Sequence, residues 1–328
     1  MSRNQFTELY AKIENHALFL EKNIGRPQVD PILQLMIFLY YLGMSNAGAK
    51  FSIIGDFFHV SKGTARKSYQ RVLHCILSLA EEFIKWPSEE ERSVIQRRFH
   101  ALYGFPNCVG CIDGTYIELT ERPTWCGSDF FTRKCSYSVQ ALLVCDDNAK
   151  VLYQYAGWPG STHDNRVWRH TKMHNSPENF FSHAQYLLSD SALNPLKNVV
   201  PAFKALPNSS LSPNQEFFNT QLARARIKIE HTNGMLKSRF PILTGVNIAL
   251  RRNKDVVKIV KLLTAVCVLH NFLLNEPFLT EEELNALIKR SPVDEDDPEI
   301  TGSVQLNNIS DSRRRQIFEF VLEHNHRF

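Results

Sequence analysis

Apolar residues recur at helical spacing through the first hundred positions of the chain. Asp30 followed by Pro31 is typical of a helix start, and Gly43 ends the apolar run that follows. No alternation typical of a strand occurs before position 100. The pattern therefore predicts a helical region over residues 1–100.

From Asn107 onward the apolar runs become short and are separated by turn residues. The predicted strands are 108–119, 137–145, 151–158 and 185–188. The predicted helices are 165–173, 219–240 and 255–274. A loop is predicted over 194–213, which contains four prolines. This order of elements predicts an α/β domain.

Residues 51–79 combine a short apolar helix, a turn at 59–61 and a second helix that Ser61 can cap. One face of the second helix is apolar. The opposite face carries Lys67, Gln70 and Arg71, and no acid occurs before Glu81. This pattern favours a helix-turn-helix that lies in a major groove. A helical hairpin with a solvated basic face would give the same pattern, so both interpretations stay open.

Four acids stand where a chemical role would need them. Asp113 and Asp190 close apolar runs, Asp164 precedes a predicted helix, and Glu230 borders the packed face of another helix. Carboxylates that meet in this way suit Mg²⁺ or Mn²⁺, and two such ions would activate a water for phosphodiester hydrolysis. Each acid alone has an ordinary explanation: Asp113 can form a turn, and Glu230 can pair with Arg226.

The charge of the chain is concentrated locally. Its 328 residues carry 38 Lys and Arg against 34 Asp and Glu, and 43% of residues are apolar, which excludes a disordered tail. Over 221–254, Glu230 is the one acid among eight cations. These cations are Arg224, Arg226, Lys228, Lys237, Arg239, Arg251, Arg252 and Lys254. A phosphate-rich polymer would need such flanking charge.

Two other kinds of metal site are compatible with the sequence. The first is a zinc site of Cys108, Cys111, Cys126 and Cys135. The second is a His-Asp phosphohydrolase centre, whose residues would be His163, Asp164, His170 and His174.

The start of the chain shows no secretion signal. Of the two most apolar stretches, 32–42 is too short to span a membrane and 256–274 is interrupted by charged residues. We therefore expect reduced cysteines, an intracellular protein and no membrane partner.

Several segments resemble the PIF/Harbinger group of DDE transposases and their domesticated nuclease relatives. They are FPNCVGCIDGT at 105–115, GWPGSTHDNRVW at 157–168, LLSDS at 187–191, RIKIEHTNGMLKSRF at 226–240 and VLHN at 268–271. These motifs agree with the family in order and spacing. The resemblance covers residues 105–275.

The resemblance implies an RNase H-like fold, divalent-metal nuclease activity and nuclear location. The metal ligands of the family correspond to Asp113, Asp164, Asp190 and Glu230, of which Asp113, Asp190 and Glu230 would be catalytic and Asp164 an accessory ligand. Around Asp190 the family usually has Gly one residue before the acid and Tyr three residues after it. This chain has Ser189 and Leu193 instead, which puts efficient catalysis in question, though not metal binding.

We therefore predict an N-terminal helical domain at 1–100 that contains the helix-turn-helix. An RNase H-like domain, a mixed sheet flanked by helices, would span 101–276. A C-terminal part at 277–328 would hold an acidic linker at 291–308 and a short helix at 313–324. The predicted function is a Mg²⁺- or Mn²⁺-dependent DNA endonuclease or transposase, and the alternative is a domesticated DNA-binding adaptor without catalysis.

The predicted partners follow from the same interpretation. DNA would be bound by cations and one amide: Lys67, Gln70, Arg71, Arg226, Lys237 and Arg239. The resemblance also implies a Myb-like accessory DNA-binding protein. Because transposition pairs two DNA ends, we expect a homo-oligomer.

Overall fold

A five-stranded mixed sheet forms the centre of the computed structural model, which describes residues 1–20, 27–182, 184–205, 210–274, 280, 282–283, 285–286 and 308–325. The strands are β1 (Cys108–Glu118), β2 (Ser138–Cys145), β3 (Val151–Pro159), β4 (Tyr186–Ser189) and β5 (Val199–Pro201). Their order across the sheet is β3-β2-β1-β4-β5. The outer pairs on the β3 side are antiparallel, whereas β1, β4 and β5 run parallel.

Twelve α-helices surround the sheet in the part of the chain that the structure describes. They are α1 (Arg3–Ile13), α2 (Ala17–Leu20), α3 (Pro31–Leu42), α4 (Phe51–Phe57), α5 (Lys62–Ser78), α6 (Ala80–Phe83), α7 (Glu89–Tyr103), α8 (Asp164–Trp168), α9 (Lys172–Asn175), α10 (Pro213–Arg239), α11 (Val256–Phe272) and α12 (Asn308–Asn325). The predicted α/β architecture, a mixed sheet flanked by helices, is confirmed.

The strands form where the apolar runs predicted them. Every residue of β2 is buried, because helices cover both faces of the sheet at its centre. In β1 the register with β4 shifts between Cys108 and Cys111. Gly110 lies at this shift, where a Cβ would stand 2.6 Å from the carbonyl oxygen of Cys145. Glycine is therefore required for β1 to pack against β2 at this point.

The long helix α10 crosses the sheet. Ser212 and Gln215 form a capping box, and Pro213 occupies the first helical position. These signals start α10 at Pro213, six residues before the predicted start at 219. Leu222, Ala225, Ile229 and Leu236 are among its buried residues, and α10 packs on β1, β2 and β4.

The N-terminal helices share the core of the sheet domain. Residues 51–79 form α4 and α5, joined by a tight turn, and a Cβ on Gly55 would lie 2.7 Å from the carbonyl oxygen of Val60. The rings of Tyr41 and Tyr69 lie 4.5 Å apart between α3 and α5. Because α5 also packs on α11, one continuous hydrophobic core joins this region to the sheet.

Three predicted segments differ from the structure. The helix predicted at 165–173 is divided into α8 and α9, because Thr171 caps a new helix by accepting a hydrogen bond from the backbone of His174. The loop predicted at 194–213 contains β5 and the start of α10. The short C-terminal helix is confirmed as α12, which starts at Asn308. The linker predicted at 291–308 lies outside the described residues except for Asn308.

In the described part of the chain, no helix has both the length and the apolar character needed to cross a membrane.

Candidate active site

Two carboxylates lie side by side on the central parallel strands. Asp113 is in β1, and Asp190 directly follows the last residue of β4. Cys111 pairs with Leu188 in the parallel register, so Asp113 and Asp190, each two residues further on, are level with one another. Neighbouring strands lie about 4.8 Å apart. The fold therefore brings these two acids together from positions 77 residues apart in the sequence.

Helix α10 supplies the next groups of the site. The Nη2 atom of Arg226 lies 3.2 Å from Oδ1 of Asp113, and its Nη1 atom lies 3.6 Å from Oε1 of Glu230. Asn233, two turns after Arg226, donates a hydrogen bond from Nδ2 to Oδ2 of Asp113 at 2.9 Å. Both carboxylate oxygens of Asp113 are thus held by α10.

Arg226 is the electrostatic centre of this arrangement. Only 12% of its side chain is exposed. Burial alone would lower its pKa, but the charges of Asp113, Asp190 and Glu230 together raise the pKa above its ordinary value. The guanidinium therefore stays charged among these three predicted catalytic acids.

Asp164 lies on the other face of the sheet. Gly114 follows Asp113 in an extended strand, so a Cβ there would point away from α10. That Cβ would stand 2.5 Å from Oδ2 of Asp164, and Gln140 in β2 donates a short hydrogen bond to Oδ1 of Asp164. The structure thus brings Asp113, Asp190 and Glu230 to Arg226, and it places Asp164 behind β1.

A cavity of about 480 Å³ links Asp164 with Asp190, since both acids and Gly114 line it. Asn165, the residue after Asp164, donates to the carbonyl oxygen of Ala192 and accepts from the backbone of Asn194. These bonds fasten the start of α8 to the loop that follows Asp190. Asp190 therefore stands at the junction between the α10 face and the cavity.

The two residues that depart from the family pattern, Ser189 and Leu193, are both buried close to Asp190 in the sequence. Ser189 has no exposed surface and donates from its hydroxyl to the carbonyl oxygen of Asp190 at 3.1 Å. Leu193 is 3% exposed and belongs to the apolar cluster on the α8 face. Both residues are therefore part of the packing that supports the Asp190 loop.

The predicted DNA-binding residues fall into two groups. On α5, Lys67 and Gln70 are exposed and Arg71 is half-buried. Lys237 and Arg239 are half-buried in the last turn of α10, which also carries Arg226. Burial lowers the pKa of Arg239. The second group is thus continuous with the acids, and the first group lies on the N-terminal helices.

The structure does not assemble the two alternative metal sites. Cys108 and Cys111 are buried in β1, whereas Cys126 and Cys135 are exposed outside the strands. His170 packs against the ring of Trp158, with ring centres 4.6 Å apart. Among the described residues, no three His, Cys, Asp or Glu side chains are grouped closely enough to hold a metal ion, and this applies to the four predicted acids as well.

One group of candidate residues was not predicted from the sequence. Phe131, Arg133 and Lys204 line the cavity beside Asp164 and Asp190. The first two lie between the first and second predicted strands, and Lys204 lies in the predicted loop. The neighbouring pairs Phe130-Phe131 and Arg133-Lys134 could have indicated this group. Aromatic and basic side chains close together in a loop are typical of nucleic-acid contacts.

Known proteins share the segment that carries this site. Residues 112–271 match the DDE superfamily endonuclease model, and this segment includes all four predicted acids. The human protein named "Putative nuclease HARBI1" is 26% identical over 258 residues, which are 77% of this chain and 71% of that protein. The rat protein of the same name is 24% identical over 292 residues, 86% of this chain and 78% of its own length.

A plant protein is related at a similar level. "Protein ALP1-like" of Arabidopsis thaliana is 25% identical over 248 residues, which are 70% of this chain and 58% of that protein. No solved structure matches the chain. Through residues 112–271 the chain is thus similar to the DDE superfamily endonucleases, and the resemblance to the Harbinger transposases and the nucleases derived from them is confirmed.

Proposed function

We propose that this chain is a divalent-metal-dependent DNA endonuclease whose catalytic carboxylates are Asp113, Asp190 and Glu230. The observation that carries the proposal is the level register of β1 and β4 beneath α10, with the three acids around one guanidinium. Acids from two strands and a crossing helix suit phosphodiester hydrolysis with Mg²⁺ or Mn²⁺. The mixed sheet supports an RNase H-like arrangement.

The donor chemistry of the site fits such an ion. Besides the carboxylates, Oδ1 of Asn233 is a buried oxygen next to Asp113, and it has no hydrogen-bond partner among the described residues. Asp113, Asp190 and Glu230 would hold the metal. Asp164, which lies behind β1, would contribute to it only through the cavity that it shares with Asp190. When bound, the ions supply an activated water and stabilise the leaving oxygen.

The residues of α10 prepare the site for this chemistry. Asn233 fixes the orientation of Asp113 through its hydrogen bond to Oδ2. The positive charge of Arg226 offsets the mutual repulsion of the three acids. Lys237 and Arg239 extend the same helix and are suited to contact the phosphates of the strand being cut.

The remaining partners are proposed from charge and from the resemblance. The polar face of α5, with Lys67, Gln70 and the half-buried Arg71, would contact duplex DNA away from the acids. We propose nuclear location, a homo-oligomer and a Myb-like accessory protein on the resemblance alone.

A second candidate function is a DNA-binding adaptor that no longer cleaves. One observation favours it: both oxygens of Asp113 are engaged by Arg226 and Asn233. An acid held this firmly by a cation has less free capacity to bind a metal ion. The adaptor would bind duplex DNA without metal-dependent nicking.

Nicking of supercoiled plasmid tests the proposal. The full chain is incubated with plasmid in Mg²⁺, in Mn²⁺ or in excess EDTA, and nicked circles are counted over time. Asp113→Asn and Glu230→Gln remove one charge each at constant size. Asp56→Asn, at an exposed position on α4, is the matched control.

We expect metal-dependent nicking by the wild type and the control, and at least about 100-fold slower nicking by the two site variants. Equal nicking by all four proteins would refute the assigned acids. Tight DNA binding with no nicking under any metal condition would support the adaptor instead.

A further inference from the structure

A short hairpin between β1 and β2 borders the cavity. Phe131 pairs with Tyr137 in an isolated antiparallel bridge, and their ring centres lie 5.2 Å apart. The backbone and hydroxyl of Thr132 both donate to the carbonyl oxygen of Ser136. The hairpin thus has an aromatic stem, and its turn carries the cations Arg133 and Lys134.

The hairpin is fixed in place from both sides. Phe130 is fully buried, whereas the next residue, Phe131, is 45% exposed although it is a large apolar side chain. The carbonyl oxygen of Asp129 accepts a hydrogen bond from the backbone of Ser161, in the segment that leads to Asp164. Phe131 is therefore held at a defined position on the cavity wall.

Besides the acids Asp164 and Asp190, the cavity is lined by aromatic and cationic side chains. Phe131 and Tyr116 contribute aromatic rings, and Arg133 and Lys204 contribute positive charge. The volume of about 480 Å³ lies in the range of sites for small organic ligands. Aromatic rings beside cations are the combination that binds single-stranded nucleic acid, because every base has a face that can stack.

We propose that this cavity binds one unpaired nucleotide of a DNA strand, with its base stacked on Phe131 and its phosphates held by Arg133 and Lys204. A paired base has both faces covered in the duplex, so the nucleotide must be unpaired to enter. Since Asp190 lines the same cavity, the bound nucleotide lies next to the site of cleavage. This inference rests on the proposed nuclease function.

Fluorescence of 2-aminopurine tests the subsite without cleavage. The full chain is titrated, in EDTA, into a single-stranded oligonucleotide that contains one 2-aminopurine, and into a blunt duplex of the same length. Phe131→Ala and Phe131→Leu remove the ring, the latter at similar bulk, and Phe131→Trp retains an aromatic surface. Leu102→Ala, at a 64% exposed position on α7, is the control.

We expect Phe131→Ala and Phe131→Leu to bind the single strand about 5- to 100-fold more weakly and to lose the quenching of 2-aminopurine. Phe131→Trp and Leu102→Ala should resemble the wild type, and duplex binding should not change. The proposal is overturned if the wild type does not bind the single strand. It is also overturned if the leucine variant quenches as the wild type does.

The two proposals fail in different ways. Metal-dependent nicking by the wild type, with unchanged single-strand binding by Phe131→Ala, would remove the nucleotide subsite and leave the nuclease. Quenching that depends on Phe131, in a protein that never nicks DNA, would leave the subsite and remove the nuclease.

Discussion

Asp113 is the central residue of the proposed site, and its neighbours fix the position of its carboxylate. Asn233 and Arg226 hold its two oxygens from α10. Gly114, the next residue, leaves room for the Asp164 carboxylate on the opposite face. Three of the family motifs, at 105–115, 157–168 and 226–240, contain all of these residues. However, the division of Asp113 and Asp164 between two faces follows from the pleat of β1 and from the path of the chain into α8.

Replacement of Asn233 by Ala removes the hydrogen bond that orients Asp113. Partners of ligating side chains typically contribute about 10- to 100-fold to metal affinity or activity. We therefore expect the Mg²⁺ concentration for half-maximal nicking to rise by about 10-fold or more, with little change in DNA affinity. The measurement is a Mg²⁺ titration of plasmid nicking, with Asn175→Ala on α9 as control. An unchanged Mg²⁺ dependence would contradict the role of Asn233.

Replacement of Gly114 by Ala introduces a Cβ only 2.5 Å from the Asp164 carboxylate, which Gln140 holds in place. We expect a loss of about 1–3 kcal/mol in the free energy of unfolding, measured with urea. Gly234→Ala on α10 is the matched control, because no atom lies within 4 Å of the new Cβ. That substitution should stabilise the protein by about 0.5–1 kcal/mol. Equal effects of the two changes would contradict the packing described.

At the scale of elements, the sequence predicted those whose pattern is local. The strands β1 to β3 and the helix α11 have their predicted extents within a few residues, because each is a long apolar run bounded by turn residues. The strand β5 was missed, since three residues that end in a proline give no pattern of their own. It is a strand because β4 offers it an open edge.

The helix α11 predicts a pH dependence of stability. His270 is fully buried, and its Nε2 lies 2.8 Å from the carbonyl oxygen of Ala149. Burial lowers the pKa of His270 to about 4, whereas an unfolded chain binds the proton near pH 6.5. Between these values the unfolded state holds more protons, so stability is complete above about pH 6.5 and falls as the pH drops toward 4.

Urea unfolding of the wild type and of His270→Gln between pH 4 and 8 measures this effect. Relative to the variant, the wild type should lose about 3 kcal/mol between pH 6.5 and 4. The comparison uses the slope with pH, so a constant destabilisation by the glutamine does not affect it. Parallel curves over the whole range would contradict a neutral buried His270.

At the scale of the whole molecule, the helical region and the sheet share one core through α5 and α11. The sequence predicted both parts, but not their continuity, because the contact surfaces are apolar stripes that could have been paired in other ways. The cavity could not be predicted from the sequence for the same reason. Phe131, Arg133 and Lys204 meet only after β1, β2 and β5 are assembled, and no spacing along the chain reports that meeting.

The basic face of α5 predicts a salt dependence of DNA binding. If Lys67 contacts a phosphate, Lys67→Ala should weaken duplex binding at every sequence and reduce the slope of log affinity against log salt by about 1. Lys12→Ala on α1, where the lysine pairs with Glu82, is the control and should leave the slope unchanged. Fluorescence anisotropy across a salt series measures both. An unchanged slope for Lys67→Ala would exclude α5 as a phosphate-binding helix.

The central claim is that Asp113, Asp190 and Glu230 form one metal-dependent nuclease centre. Anomalous diffraction from crystals of the full chain bound to DNA and soaked in Mn²⁺ tests it most directly. The account predicts Mn²⁺ peaks within coordination distance of Asp113 and Asp190, with Glu230 beside them, and their loss in Asp113→Asn crystals. Crystals that bind DNA and Mn²⁺ with every peak elsewhere in the molecule would contradict it.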